Sequence, residues 1–317
     1  MGSLNGKNIV LTGSSGFIGR TLLEKLLQEG ASVLAIDILN SKEKPDFDAT
    51  GNIRYRDGDI LNVPKFVDEW PLSRKGFTLI HLAWNMKRTS TVSTQLEFVL
   101  KTTRMMENLV SHHLLQVIAL GTSEEYGRLE GCLVETLVSP VSPYGCAKHS
   151  SLHFNKSILE RASVPLIWLR PFTVFGSGQK GPMLIPYSIE MALNGGLAEF
   201  STGLHERDFI PVTHVVEAII MALKKKQPGT HVLNLGSGVP RTVRSVIEYI
   251  GNAFSAQSRF NLGARQTLYY EPDLQYADMS QFNLLFGRLP EIDFEKCLDL
   301  TIKHAKEHLG RHSLQRK

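Results

Sequence analysis

Tyr144 and Lys148, in the run Ser142-Pro143-Tyr144-Gly145-Cys146-Ala147-Lys148, stand four residues apart, so on a helix the phenol and the ammonium project from one face. A phenol of ordinary pKa, about 10, is a poor base at neutral pH, but a cation roughly 4–6 Å away favours the phenolate and draws that pKa toward working pH. Such a pair could take a proton from a hydroxyl or return one. Upstream, Gly121-Thr122-Ser123-Glu124-Glu125-Tyr126-Gly127 follows an apolar run, and a hydroxyl there can share that proton, with the polar groups of Ser123 and Glu124 beside it. The bland alternative is a Ser/Thr/Gly turn with solvated glutamates, and the nearby Tyr–Lys pair outweighs it.

A second constellation lies at the N-terminal end. Gly13-Ser14-Ser15-Gly16-Phe17-Ile18-Gly19 follows the apolar run Ile9-Val10-Leu11 and opens a helical pattern. Its glycines allow a tight turn, admit a pyrophosphate and let helix pack on strand, while the backbone N–H groups of the helix start meet the phosphates. Gly13, Gly16, Phe17, Ile18 and Gly19 are therefore candidate dinucleotide contacts. Asp37 ends the next apolar run, where a carboxylate accepts both ribose hydroxyls and repels a 2′-phosphate. No basic residue follows it until Lys42, which favours NAD over NADP.

Elements must exist to position these groups, and the hydrophobic pattern supplies them. Short apolar runs at Asn8 to Leu11, Ser32 to Ile36, Ile53 to Arg56, Thr78 to Leu82, Gln116 to Leu120 and Leu166 to Leu169 read as buried strands. Helical periodicity falls between them at Phe17 to Gln28, Leu96 to His112 and Tyr144 to Ala162. This alternation predicts an α/β chain built on a doubly wound parallel sheet, a Rossmann domain over residues 1–170. Beyond Pro171 glycine and proline become dense, and helices near Met183 to Leu193, Val212 to Leu223, Val243 to Phe254 and Phe294 to His308 are separated by irregular segments. Residues 171–317 are expected to form mainly a smaller C-terminal substrate-binding lobe, with segments returning to the first domain.

Composition excludes several classes. A chain of 317 residues with 42% hydrophobic and 21% charged residues has an ordinary globular balance, and no apolar stretch is long enough to span a bilayer. The net charge of +4 comes from interleaved signs, with only short basic runs at Lys224 to Lys226 and Arg311 to Lys317 and no basic stripe with aromatics between the charges. Neither nucleic acid nor membrane is an expected partner. Cys132, Cys146 and Cys297 are scattered and lack metal-ligand spacing, so no metal site is expected and a reduced compartment is. No signal peptide is legible, and Gly6 stands where a myristoylation start from Met1-Gly2 would want Ser or Thr. The expectation is a cytoplasmic protein.

The motifs quoted above, with Asp59-Ile60, His81-Leu82-Ala83-Trp84, Leu169-Arg170-Pro171-Phe172 and Arg207-Asp208-Phe209, resemble the extended short-chain dehydrogenase/reductase family of nucleotide-sugar epimerases, dehydratases and ketoreductases. The resemblance runs through nearly the whole chain. It implies an NAD-dependent enzyme acting on a nucleoside-diphosphate sugar, with Tyr144 as base or acid, Thr122 as auxiliary hydroxyl, and Lys148 on the nicotinamide ribose. It further implies adenosine contacts from Asp59 and Ile60, nicotinamide-side packing from Leu82, Ala83, Trp84, Pro171 and Val174, and a diphosphate contact from Arg207. Several positions depart from the family pattern. Thr173 and Phe98 replace common asparagines, Pro211 and His214 replace a Tyr and an Asp, and Leu268 falls where an Arg is frequent, leaving Arg265 as a substitute diphosphate contact or a surface residue. His214 reads as a satisfied helix-start histidine. Relatives also pair through the helix near Leu96 and the one carrying Tyr144, so a homodimer is expected, with Val99, Met106, Leu152 and Ile158 facing either the partner or the core. Glu124 and Asp37 put a 4,6-dehydratase or 4-epimerase ahead of a 4-ketoreductase, and a non-catalytic dinucleotide-binding protein last.

Overall fold

The computed structural model describes residues 3–38, 52–85, 91–267 and 271–314, with side chains up to 307; Met1, Gly2, Lys42 and Leu268 lie outside them. The first half runs β1 (Asn8–Thr12), α1 (Phe17–Gln28), β2 (Ser32–Asp37), β3 (Ile53–Asp57), α2 (Val63–Asp68), β4 (Phe77–His81), α3 (Val92–Leu109), β5 (Leu114–Leu120), β6 (Gly131–Leu133), α4 (Pro143–Arg161) and β7 (Leu166–Pro171). The second runs β8 (Thr173–Phe175), α5 (Leu184–Asn194), β9 (Ala198–Phe200), β10 (Glu206–Pro211), α6 (Val212–Lys224), β11 (Thr230–Leu235), β12 (Pro240–Thr242), α7 (Val243–Ala253), β13 (Phe260–Leu262), β14 (Leu274–Ala277), α8 (Ser280–Phe286) and α9 (Phe294–Leu314).

Alternation along β1 shows why the main sheet is wound on both faces. Ile9 and Leu11 pack with Leu22, Leu23 and Leu26 of α1 and with Val215, Ile219 and Leu223 of α6, whereas Val10 packs with Met105, Met106 and Leu109 of α3 and Leu152 and Leu159 of α4. With both faces covered, the strands read as continuous apolar runs, and all of β4 is buried. The seven strands are parallel in the order β11-β7-β5-β4-β1-β2-β3. The chain therefore reverses direction across the sheet between β1 and β4, and such a switch point opens a crevice at the strands' carboxyl ends.

The segments after Pro171 that carry no clear period are not irregular. They hold a five-stranded sheet in which β10 pairs with β8, β12 and β14, and β14 pairs with β6 from the first half; β9 pairs separately with β13. Strands of three or four residues are too short for a hydrophobic period to register. A separate core of Phe175, Ile185, Phe209, Ile247 and Phe294 sits under them. Two later elements leave this lobe: β11 becomes the edge of the seven-stranded sheet, and α6 packs on α1. Among the described residues no helix is long and apolar enough to cross a membrane.

Two glycines make the turn after β1 possible. Gly13 has φ +73°, and a Cβ there would stand 2.7 Å from the Ala83 nitrogen; a Cβ on Gly19 would overlap the Gly13 carbonyl oxygen. The first lets β4's continuation cross the loop, and the second lets α1 lie close on it. Gly19→Ala should therefore push α1 off β1 and lower stability by about 1–3 kcal/mol, as overpacking does. Urea denaturation checks this, and an unchanged midpoint would show that α1 has room to shift.

Candidate active site

The crevice at the carboxyl ends of β1, β4 and β5 collects most of the residues that the sequence singles out. Ser142 caps α4, its hydroxyl accepting from the Gly145 N–H at 3.0 Å and donating to the Glu124 carboxylate, and Pro143 occupies the first helical position. That cap aims Tyr144 at the turn after β5, where the Thr122 side chain acts on its phenol. Burial, then the Glu124 and Glu125 charges, push the phenol above its ordinary value, and the Thr122 side chain only partly offsets them. Lys148 is buried, and its Nζ donates to the Leu120 carbonyl at 2.7 Å. Burial draws this ammonium down to about 7, with Glu125 opposing.

One expectation needs correction. Helical spacing does place phenol and ammonium on one face, yet Lys148 Nζ lies 5.9 Å from the Tyr144 ring centroid and turns inward to Leu120. The protein's own groups raise the phenol's pKa rather than lower it, because desolvation and the Glu124 and Glu125 charges outweigh the Thr122 side chain.

Around the glycine loop, Asp37 Oδ2 accepts from the Ser15 N–H at 2.8 Å and the Ser15 hydroxyl at 2.6 Å, while Oδ1 accepts from the Ile38 N–H. The carboxylate is thus fixed at the mouth of the loop. Leu82 N–H donates to the Thr12 carbonyl at 3.2 Å and Ala83 N–H to the Thr12 hydroxyl at 3.4 Å, which carries the chain past Gly13 to Trp84. Asp59 caps the short turn containing buried Ile60, accepting from the Leu61 N–H at 3.0 Å, and also accepts from Lys101 Nζ at 3.0 Å. From the other side Gly176, just beyond Val174, lies against Phe17 and Val212. A side-chain-free turn, a helix start and a fixed carboxylate fit a dinucleotide.

Toward the second lobe, Arg207 on β10 donates through Nη1 to the Glu206 carbonyl at 2.8 Å, while Nη2 is buried with no hydrogen-bond partner among the described residues. Burial lowers its pKa, against the charges of Glu271, Asp273 and Glu130. Thr173 on the adjacent strand β8 is in register with Phe209, two residues further along β10. Arg265 is exposed and has partners of its own, Glu199 at 3.7 Å and the Tyr187 ring at 5.3 Å. His214 is paired too, with the Thr213 hydroxyl at 3.3 Å and the Glu291 backbone.

Comparison with known proteins settles the family. The family model described as the NAD-dependent epimerase/dehydratase family matches residues 9–236, most of the chain. The protein belongs to that family. It is accordingly an enzyme of the NAD-dependent epimerase/dehydratase group, and its cofactor is NAD. Among its relatives, CDP-abequose synthase of Salmonella typhimurium is 24% identical over 93% of this chain and 97% of its own. The dTDP-6-deoxy-L-talose 4-dehydrogenase (NAD(+)) of Aggregatibacter actinomycetemcomitans is 25% identical over 76% of this chain and 88% of its own. A solved structure of MoeE5 in complex with UDP-glucuronic acid and NAD superposes with a TM-score of 0.83 at 28% identity, covering 95% of this chain and 99% of that one.

Within this epimerase/dehydratase framework the sequence reading overlooked the supports behind the site. Glu125, to which the sequence assigns no role, is fully buried. Its Oε1 accepts from the Thr122 N–H at 3.1 Å and Trp168 Nε1 at 3.0 Å, and its Oε2 from Arg170 Nε at 3.0 Å and Nη2 at 2.9 Å, with His149 Nδ1 at 3.5 Å. The turn that presents Thr122 therefore hangs on a buried ion pair to β7. Burial pushes the Glu125 carboxyl up, but nearby His149 and the Arg170 charge outweigh it and hold it below the ordinary range. An arginine inside the apolar run of β7 was the legible signal, since a buried guanidinium needs a carboxylate. His81 is a second support, buried and bonded to the Thr12 hydroxyl at 2.8 Å and Thr102 at 3.4 Å; burial lowers it to about 3, so it stays neutral.

Glu125→Gln would leave Arg170 charged and uncompensated, and the expected loss is about 3–5 kcal/mol of folding stability in urea titration. Glu125→Leu combined with Arg170→Met should restore most of it. Because the folded-state carboxyl is held low, the pair's contribution is complete above the ordinary carboxylate range and is lost as pH falls through the folded value. A wild-type pH dependence matched by the double variant would show that the pair contributes nothing.

Proposed function

We propose that this enzyme oxidises the 4-position of a nucleoside-diphosphate sugar and retains its NAD through a closed cycle, as a 4-epimerase or 4,6-dehydratase does. The observation that carries this reading is the buried Tyr144 phenol facing the Thr122 side chain, with buried Lys148 one helical turn on, at the carboxyl end of β5. Tyr144 takes the proton of the sugar hydroxyl while Thr122 shares its hydrogen bond, and on return Tyr144 gives the proton back. Bound NAD would supply the acceptor for the hydride leaving the sugar carbon and a positive charge that favours the Tyr144 phenolate. Lys148, anchored on Leu120, holds the adjoining ribose. Asp37 takes the adenosine ribose hydroxyls in exchange for the Ser15 donors and disfavours a 2′-phosphate, so NAD is preferred to NADP. Arg207 directs its unpartnered Nη2 at the diphosphate, with Thr173 on the neighbouring strand and Arg265 further out.

Elimination of water would require the extra acid and base for which Ser123 and Glu124 stand, yet the Glu124 carboxylate already accepts from the Ser142 hydroxyl. This supports the epimerase over the dehydratase. The relative named as an NAD-dependent 4-dehydrogenase of a 6-deoxy sugar nucleotide favours a second reading, in which the same pair reversibly converts a 4-ketone and a 4-hydroxyl with exchange of cofactor.

A homodimer is also proposed. Val99, Met106 and Leu152 are buried in the core and Ile158 packs against it, so they are not the contact. Val92, Leu96 and Leu100, spaced by four along α3, and Phe154 of α4 are exposed instead. They form one apolar strip suited to a second copy.

Incubation with a panel of nucleotide sugars, followed by mass and by absorbance of the reduced nicotinamide, tests the chemistry. Tyr144→Phe should keep the fold and NAD affinity and lose turnover by a factor of about 10²–10⁴. Glu124→Gln should change an epimerase or a 4-ketoreductase only modestly; in a dehydratase it should stop elimination while oxidation continues. Wild-type turnover by Tyr144→Phe would overturn the mechanism, and equal affinity for NAD and NADP would overturn the role of Asp37. For assembly, Leu96→Asp with Phe154→Asp should give a monomer by sedimentation, and a wild-type monomer at micromolar concentration would end that proposal.

A further inference from the structure

A buried ammonium needs compensation, and Lys148 receives little of the usual kind. Its side chain is 2% exposed, and of its three donors one goes to the Leu120 carbonyl at 2.7 Å. Glu125 raises its pKa only through space, since that carboxylate is saturated by Thr122, Trp168 and Arg170. What does lie against the ammonium is the indole of Trp84, with Nζ 4.0 Å from the ring centroid. The rings of Tyr144 and Trp168, at 5.9 and 6.0 Å, are at the limit of such an attraction.

The indole is itself held. Trp84 Nε1 donates to Gln95 Oε1 at 2.8 Å, and Gln95, buried in α3, donates through Nε2 to the Asn85 carbonyl at 3.0 Å. Phe98, one turn along α3, braces the ring at 5.7 Å between centroids. Both α3 residues therefore act on the orientation of one aromatic face. We propose that Trp84 is a positioning residue for Lys148, its indole face keeping the ammonium charged and in place while Gln95 and Phe98 fix the ring.

The physical advantage is specific to this site. A carboxylate in the same place would also keep Lys148 charged, but it would occupy the donors needed by a ribose. It would also add a third negative charge near Tyr144, whose phenol Glu124 and Glu125 already push up. An aromatic face stabilises a cation through its quadrupole, takes none of the N–H donors and carries no net charge. Trp gives the strongest such face, Phe a weaker one and an aliphatic side chain none.

This inference rests on the proposed role of Lys148, and its test includes a measurement that does not. The Lys148 Cε resonance of [¹³C]lysine-labelled apoprotein, assigned by its absence in Lys148→Arg, reports the ammonium's titration directly. Trp84→Leu should move that titration to lower pH by about one unit, Trp84→Phe by less, and Gln95→Leu by an intermediate amount. The basic limb of the kcat/KM profile should move in the same order. A Lys148 titration unchanged in Trp84→Leu, or displaced equally by Phe and Leu, would reduce Trp84 to a packing residue. If the sugar chemistry itself were wrong, Tyr144→Phe would retain turnover while the apoprotein titrations still followed the order of the ring series.

Discussion

Three charges are buried at the carboxyl ends of β5 and β7, those of Glu125, Lys148 and Arg170, and the architecture of the site depends on keeping them charged in a dry interior. Each is compensated differently. Glu125 and Arg170 satisfy one another through two guanidinium hydrogen bonds, with Trp168 and the Thr122 backbone taking the remaining lone pairs. Buried pairs of this kind contribute little net stability, but breaking one is costly, so they specify geometry. Here that geometry is the turn bearing Thr122, which faces Tyr144. Lys148 cannot be compensated in the same way without quenching its function, and it is left with a carbonyl and an aromatic face.

The cofactor side follows a different rule. There the interior must come close rather than stay charged, and the absence of side chains does the work. Gly13 and Gly19 let β4's continuation and α1 converge on the end of β1, and neutral His81 ties β1, β4 and α3 together by two hydroxyl contacts. Asp37, bonded to Ser15 of that loop, is held at its mouth. Preorganisation on strands and helix starts costs a ligand less ordering than loops would.

The second lobe is joined to the sheet by polar groups as well as by packing. Asp208, next to Arg207, is buried and accepts from the Ser237 N–H and hydroxyl, the Gly238 N–H and the Ala277 N–H at 2.6–3.1 Å. It thereby ties β10 to the segment leaving β11 and to β14, and it fixes the strand that aims Arg207. Burial raises its carboxyl, and the four donors act against that.

Much of this was determined by the sequence alone, because the signals were local. The strands and helices around the main sheet have periods longer than the noise, the glycine loop and Asp37 follow from turn sterics and strand ends, and Tyr144 with Lys148 follows from helical spacing. Tertiary structure decided what those groups do to one another. Helical spacing placed the phenol and ammonium on one face but not Nζ on Leu120, because side-chain direction depends on the carbonyl that the neighbouring strand presents. Nothing local to Glu125 marks it as buried, and its partner Arg170 lies 45 positions away. The five-stranded sheet stayed hidden because its strands are short and one of them, β6, is drawn from the other half of the chain. Long-range pairing leaves no period in the sequence, so only the folded chain could show which charges meet.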